Sequence, residues 1–322
     1  MKTELSQEVI QRLYKRLSAV LSSDQVLINE KMSAHTTFQV GGGADIFVEI
    51  NNSTELAKAL HILKSEGISD LNKDFYILGN GSNLLVSDAG LRGVVLHISK
   101  KYSNITVSGT TLVSEAGASL AAIARKAYEN ALTGFEFAAG IPGSLGGAIV
   151  MNAGAYGGEM KQVVKSVRLM APDGEIICKN AEEMKFSYRN SLVKECMNQR
   201  PLIVLDVTIE LAAGRQADIG AKMEELAEKR RGKQPLEYPS AGSTFKRPEG
   251  YFAAKLIEDA GLRGFSVGDA QVSEKHCGFV VNRKNASAAD IHTLIAEVQK
   301  RVKASSGVMI EPEVIFLGDF GE

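Results

Sequence analysis

The chain has 322 residues, 44% hydrophobic and 23% charged, which excludes wholesale disorder and leaves room for two or three domains. Lys plus Arg number 37 against 38 Asp plus Glu, so no basic excess points to nucleic acid or an anionic membrane, although a local patch can still take a phosphate. No run reaches the roughly 18 apolar residues of a membrane span, the charged start lacks a secretory apolar core, and Cys178, Cys196 and Cys277 show no Cys-x-x-Cys spacing, so a reduced, cytoplasmic protein is expected.

Leu5, Val9, Leu13, Leu17 and Leu21 recur every four residues and predict an amphipathic helix packed on the outside of the body. Asp45–Ile50 alternates as a strand does. Ser53 is expected to cap a helix with Glu55 in its first turn, Leu56, Leu60 and Leu63 on one face, and Gly67 as its stop. Phe75–Leu78 and Val94–Ile98 read as buried strands, so residues 30–100 form a small α/β unit. A second unit follows. Ile105–Val107 and Thr111–Val113 suggest a hairpin around Gly109, and Ser119 caps a helix carrying Leu120, Ile123, Ala127 and Tyr128, with Gly134 beyond it. Strands are expected at Val163–Met170, Glu175–Cys178 and Leu202–Leu211, with a boundary at Ala212-Ala213-Gly214. A charged helix spans Asp218–Arg231. Ser287 and Asp290 form a capping box ahead of Ile291, Leu294, Ile295, Val298 and Val302; Gly307 ends that helix, and Val308–Leu317 reads as a last strand. There is no internal repeat and no low-complexity segment.

Two glycine-rich stretches stand apart. Gly79-Asn80-Gly81-Ser82-Asn83 follows a strand directly, which lets backbone N–H groups approach a phosphate. No Gly-Lys-Ser/Thr follows, and Leu84 stands where a dinucleotide fingerprint needs its third glycine. Taken alone, such a turn is more often structural. The second stretch, Gly140 to Gly158, has seven glycines in nineteen residues and leaves Ser144, Asn152 and Tyr156 as its polar groups. A flexible surface loop would not carry Ile141, Leu145, Ile149, Val150 and Met151, which seek burial. A concave, backbone-lined surface for a large flat or phosphorylated ligand is the simpler reading.

Gly79–Asn83 with Leu84-Leu85, then Ile141-Pro142-Gly143-Ser144 through Tyr156-Gly157, resembles the flavin-binding loops of the vanillyl-alcohol-oxidase-like (PCMH) fold. Ser187-Tyr188-Arg189-Asn190-Ser191, Ala241-Gly242-Ser243-Thr244-Phe245-Lys246 and Glu311-Pro312-Glu313-Val314 narrow the likeness. The five motifs in this order resemble the MurB family of UDP-N-acetylenolpyruvoylglucosamine reductases over residues 31–318. That resemblance implies an α+β protein: a two-lobed PCMH-type FAD-binding domain over 1–210 (lobes 1–100 and 101–210), an α/β substrate-covering domain over 211–308, and a terminal strand over 309–322 carrying Glu313. It implies non-covalent FAD held by Gly79, Asn80, Gly81, Ser82, Asn83, Leu84, Ile141, Pro142, Gly143, Ser144, Gly146, Gly147, Asn152, Gly154, Ala155, Tyr156 and Gly157. It implies hydride transfer from NADPH, through FAD, to C3 of the enolpyruvyl group, with a proton reaching C2 to give UDP-N-acetylmuramate. The short connection Lys246–Lys255 resembles the family's second type, which lacks both a long insertion there and a closing Tyr loop; which side chain covers the uridine is left open.

Hydride addition to an enol ether carboxylate builds enolate charge, which needs a cation or donors in place. By the resemblance Arg189 takes that role, its guanidinium matching a carboxylate in a bidentate fork; outside the motif it would read as a surface Arg after a turn. Ser243, after Gly242, corresponds to the proton donor to C2, and as a poor acid it must act in a relay. Glu313 corresponds to the acid that stabilises the enol, with Glu311 its rival if the strand faces the other way. Tyr188 and Lys233 match substrate residues; Arg247 stands where other members have Asn, and Asp259 where others have a substrate-contacting Gln. The five histidines show no metal spacing, and no His or Cys matches a flavin-attachment position. Two rivals remain: an FAD oxidase of the same fold acting on a small alcohol or sugar, and a non-catalytic nucleotide-binding protein.

Overall fold

The computed structural model describes residues 5–197 and 199–321. The leucine repeat becomes the helix Gln7–Val20, which starts with the Ser6 side chain accepting the Val9 N–H and buries Ile10, Leu13 and Leu17. Leu5 and Val9 pack partly buried against the same core. A second helix, Ser53–Ser65, buries Leu56, Ala59, Leu60, Ile62 and Leu63. Its cap is Asn52, one residue before the expected Ser53: the Asn52 side chain accepts the Glu55 N–H at 2.9 Å. A cap side chain accepts the N–H of the second or third helical residue, and the acceptor bonded to the Glu55 N–H is Asn52 Oδ1. Arg12 and Arg16 of the first helix reach Glu66 at 2.8 and 2.6 Å and join the two helices.

The chain is α+β and folds as two compact units that do not follow sequence order. The first comprises residues up to 28, 45–80 and 93–229; the second comprises 29–44, 81–92 and 230 onward. A four-stranded sheet, most of whose residues fall in the first unit, is ordered Val26–Lys31, Gly43–Ile50, Leu91–Ile98, Phe75–Leu78, with Phe75–Leu78 parallel to Val94–His97. The first unit also holds a five-stranded antiparallel sheet ordered Ile176–Asn180, Val164–Met170, Ile203–Glu210, Thr111–Glu115, Ile105–Ser108. The tight hairpin of the last two strands turns at Gly109, φ +59°. Helix Leu120–Glu129 starts at Ser119, whose side chain accepts the Ala122 N–H.

In the second unit, helix Ala288–Ser306 packs on an antiparallel sheet of Ser266–Val267, Ala270–Val272 and Val280–Asn282. Ile291, Leu294, Ile295, Val298 and Val302 are buried with Phe38, Val40 and Leu85. The capping box of Ser287 and Asp290 is present, and the Asp88 carboxylate accepts two more first-turn N–H groups, from Ala288 and Ala289, each at 2.9 Å. Gly307 closes the helix at φ +74°. The terminal strand is shorter than expected. Only Ile315–Leu317 is a strand, parallel to Leu84–Val86, because Pro312 brings no N–H to a ladder and Gly318 turns the chain at φ +96°. Helix Ala253–Asp259, which begins within the short connection and runs past it, has no strong sequence signal. Among the described residues no helix is long and apolar enough to cross a membrane.

Candidate active site

Within the second unit, three of the sequence motifs meet. Phe245 bridges Pro312, the Glu313 N–H donates to the Thr244 carbonyl at 2.8 Å, and the Lys246 N–H donates to the Glu311 carbonyl at 2.8 Å. These bonds place the backbone of Ser243-Thr244 beside that of Glu313. On the other side, Asn83 Nδ2 donates to the Glu313 carbonyl at 3.0 Å, and the Ile315 N–H donates to the Asn83 carbonyl at 3.0 Å. The Glu313 segment is therefore held between the Ser243 loop and the end of the first glycine loop. Ser243 is exposed; Glu313 is half-buried. The rival Glu311 is committed elsewhere: its carboxylate pairs with Lys246 Nζ at 2.8 Å, which holds it below the usual carboxylate range. Thr244 is fully buried, its hydroxyl accepts the Val280 N–H at 2.9 Å, and its N–H donates to the Gly278 carbonyl, so the Ser243 loop is anchored at the adjacent residue.

Within the first unit, the second glycine stretch folds as a six-residue helix, Leu145–Val150. Its entry is fastened to the 116–120 segment: Leu120 N–H to Gly143 O at 3.1 Å, Leu145 N–H to Ala118 O and Gly146 N–H to Ala116 O, both at 2.8 Å. The N–H groups of Gly143, Ser144 and Gly147 find no acceptor among the described residues. Ser144 is 3% exposed and lies against Gly79: a Cβ built on Gly79 would come 2.3 Å from Ser144 Oγ. Gly154–Ala155 pairs with Gly158–Glu159 in a hairpin with Tyr156 and Gly157 at its tip, at φ +54° and +87°. Ile141 is half-buried and Pro142 exposed.

Arg189 also belongs to the first unit, whereas Ser243 and Glu313 belong to the second. It sits with Tyr188 at the tip of a two-residue turn closed by mutual Ser187–Asn190 hydrogen bonds, both 3.2 Å. Arg189 has φ +55°, a conformation rare for a residue with a long side chain, and its guanidinium lies 5.6 Å from the Tyr188 ring. Tyr188 is 55% exposed.

Whether the residues present suit the FAD implied by the resemblance is decided by what they leave unsatisfied. In the first unit the N–H groups at Gly143, Ser144 and Gly147 are unclaimed, and a Cβ on Gly147 would meet only Ser144 Oγ, at 3.8 Å. In the second unit the N–H groups of Gly81, Ser82 and Asn83 find no acceptor among the described residues, and the neighbouring Thr37 hydroxyl is buried with no hydrogen-bond partner among them. Thr37 donates its N–H to Gly81 O at 3.3 Å, and Gly81 admits no side chain because a Cβ would lie 2.0 Å from His35 O. Buried polar groups without partners are costly unless a ligand satisfies them, so both segments suit a cofactor with phosphates and polar ring edges. Thr37 was not legible in the sequence: nothing marks one threonine of His35-Thr36-Thr37-Phe38 as the orphan.

The remaining substrate candidates lie in the second unit. Lys233 ends helix Gln216–Lys233 and is exposed. Arg247 stacks on Phe252 at 4.0 Å, and Asp259 pairs with Lys255 at 2.6 Å on the surface of its helix. His276 accepts the Gly278 N–H on Nδ1 at 3.1 Å, fixing the proton on Nε2, and meets Phe279 edge-on. Burial pulls this imidazole below its usual value, and the Lys233 and Arg263 charges act the same way.

The family model described as UDP-N-acetylenolpyruvoylglucosamine reductase, C-terminal domain, matches residues 234–317, and one described as FAD binding domain matches 44–178. A UDP-N-acetylenolpyruvoylglucosamine reductase of Caldanaerobacter subterraneus subsp. tengcongensis is 50% identical over 307 residues, 95% of this chain and 98% of that protein. One from Clostridioides difficile is 46% identical over 309 residues, 96% and 99% of the two chains. The crystal structure of UDP-N-acetylenolpyruvylglucosamine reductase (MurB) from Thermus caldophilus superposes with a TM-score of 0.75 at 31% identity, covering 91% of this chain and 98% of that one.

Proposed function

The chain belongs to the UDP-N-acetylenolpyruvoylglucosamine reductase family, and we propose that it reduces the enolpyruvyl group of UDP-N-acetylglucosamine enolpyruvate to UDP-N-acetylmuramate with Arg189, Ser243 and Glu313 as its catalytic residues. The cofactor is FAD and the reductant NADPH; held by the glycine-rich segments, FAD would supply the hydride relay between NADPH and the enolpyruvyl carbon. The work lies in the cytoplasm, where peptidoglycan precursors are made.

The observation that supports the assignment of residues is the pairing of the Glu313 backbone with Thr244 on one side and Asn83 on the other, which brings the Ser243 and Glu313 chain segments together beside a loop suited to flavin. Arg189 holds the substrate carboxylate and offsets the charge that develops on it as C3 accepts hydride. Ser243 Oγ gives its proton to C2. Glu313 stabilises the enol, in a position that Glu311, paired with Lys246, does not fill. Lys233 meets the diphosphate as a point charge, with Tyr188, Arg247 and Asp259 as further substrate contacts.

The test is spectroscopic. Purified protein carries flavin absorbance that bleaches on anaerobic NADPH and returns on adding the enolpyruvyl substrate, with UDP-N-acetylmuramate formed in equal amount. An oxidase of the same fold would instead bleach with an alcohol or sugar and return with oxygen, releasing peroxide. Bleaching without substrate-driven return would remove the reductase assignment.

A further inference from the structure

Asn152 stands in the sequence as a flavin ligand, yet its side chain is spent inside the chain. It is 1% exposed, and its φ of +43° is one that Asn tolerates better than most residues. Nδ2 donates to Glu159 Oε2 at 2.8 Å and to the Ser187 carbonyl at 3.1 Å, while Oδ1 accepts the Lys161 N–H at 2.9 Å. Two of these partners can only accept and the third can only donate, so the orientation of the amide is fixed and both donor hydrogens are used.

Ser187 opens the turn that carries Arg189. At the far end of the same turn Ser191, fully buried, donates its hydroxyl to the Val150 carbonyl at 2.9 Å. Val150 is the last residue of the glycine-rich helix, and Asn152 follows two residues later. Both ends of the Arg189 turn are thus bonded to one three-residue segment. The turn needs such support, because Arg189 occupies a left-handed conformation that costs energy for a residue with a Cβ.

We propose that Asn152 is a positioning residue for Arg189: it fastens the Tyr188–Arg189 turn to the exit of the Leu145–Val150 helix, the short helix whose entry presents the unclaimed N–H groups of Gly143, Ser144 and Gly147. This rests on the role assigned to Arg189 above. The side chain acts through the Ser187 carbonyl and touches neither substrate nor flavin.

The discriminating protein is the holoenzyme double variant Asn152→Asp with Glu159→Gln, compared with Glu159→Gln alone. The introduced carboxylate still accepts the Lys161 N–H and accepts a bond from the introduced amide, while the Ser187 carbonyl alone loses its donor. Flavin-to-protein absorbance should match the control. Amide exchange at Ser187 and Asn190, which close the turn, should accelerate on the order of tenfold. Substrate-driven reoxidation should slow by about 10–100-fold, the scale of a misplaced reacting group, with NADPH-driven bleaching near normal. Unchanged exchange and reoxidation, or loss of flavin, would overturn the proposal. Arg189→Lys is run in parallel. If it reoxidises normally, the Arg189 assignment fails and the positioning role falls with it; if it is slow while the double variant is normal, only the Asn152 inference fails.

Discussion

Gly146 is pressed against Ala116: a Cβ built on Gly146 would lie 3.2 Å from the Ala116 Cβ and 3.4 Å from its carbonyl oxygen. Its neighbour Gly147 faces open space, with only Ser144 Oγ, at 3.8 Å, within reach of an added Cβ. Adjacent glycines therefore serve different ends. The first permits close packing of a helix on the sheet; the second leaves room over unclaimed N–H groups. Gly146→Val should destabilise the fold by about 1–3 kcal/mol through overpacking. Gly147→Val should keep the melting temperature of the apoprotein yet lose flavin. Thermal unfolding of flavin-stripped protein and flavin content after purification separate the two. Loss of flavin from Gly146→Val at unchanged apoprotein stability would contradict this division.

Ser243→Ala should divide the catalytic cycle. NADPH bleaches the flavin before any enolpyruvyl carbon reacts, so that step stays near normal. Substrate-driven reoxidation needs C2 protonation and should slow by roughly 10²–10⁴-fold, the usual worth of a general acid. Ser243→Cys, with a more acidic thiol, should recover part of the rate. Stopped-flow traces of each half-reaction decide it; slow bleaching with intact reoxidation would refute the role.

The two glutamates of Glu311-Pro312-Glu313 should behave oppositely. Glu313→Gln should cut the maximal reoxidation rate by about 10²–10³-fold, as loss of one transition-state contact does. Glu311→Gln removes only a solvent-screened surface ion pair with Lys246 and should leave kcat near that of the parent. Steady-state kinetics of both variants, side by side, check the assignment.

His276 sets a pH dependence of stability. Its folded-state pKa lies below the usual 6.5, chiefly through burial. The unfolded chain therefore binds the proton more readily, and stability, full above that value, falls as pH drops through 6.5 toward the folded-state pKa. His276→Gln should flatten this acid-side slope. Melting temperatures of both proteins between about pH 7.5 and 5 would show it, and parallel curves would exclude His276 as the source.

Local signals in the sequence served well where one residue type does one job. Ser287, Asp290 and Gly307 mark both ends of helix Ala288–Ser306 because caps and left-handed stops have few chemical solutions. Gly109 marks its hairpin for the same reason. The start of helix Ser53–Ser65 was misplaced by one residue because Asn52 and Ser53 are both good caps, and only the geometry toward the Glu55 N–H separates them. Five motifs in order point to the family that the relatives then establish. What could not be read is what depends on distant chain. The Asp88 cap lies 200 residues from the helix it serves, the orphaned hydroxyl of Thr37 is defined by what surrounds it, and the saturation of Asn152 needs Glu159, Lys161 and Ser187 together. Composition carries no trace of such pairings, since each partner is ordinary in its own neighbourhood.

The second unit is assembled from three separated stretches, and this sets a timetable for synthesis. Phe38, Val40 and Leu85 emerge early, yet the residues that bury them run from Ala241 to Val314. Leu84–Val86 waits for Ile315–Leu317, its strand partner, and Asp88 for a helix 200 residues downstream. At about 5–20 residues per second, 200 residues take about 10–40 s to translate. For that interval the nascent chain shows an apolar strand and two apolar anchors, Phe38 and Val40, with no cover. The early segments are thus natural chaperone clients, and a ribosome stalled before residue 315 would present a chain whose second unit lacks the strand that pairs with Leu84–Val86.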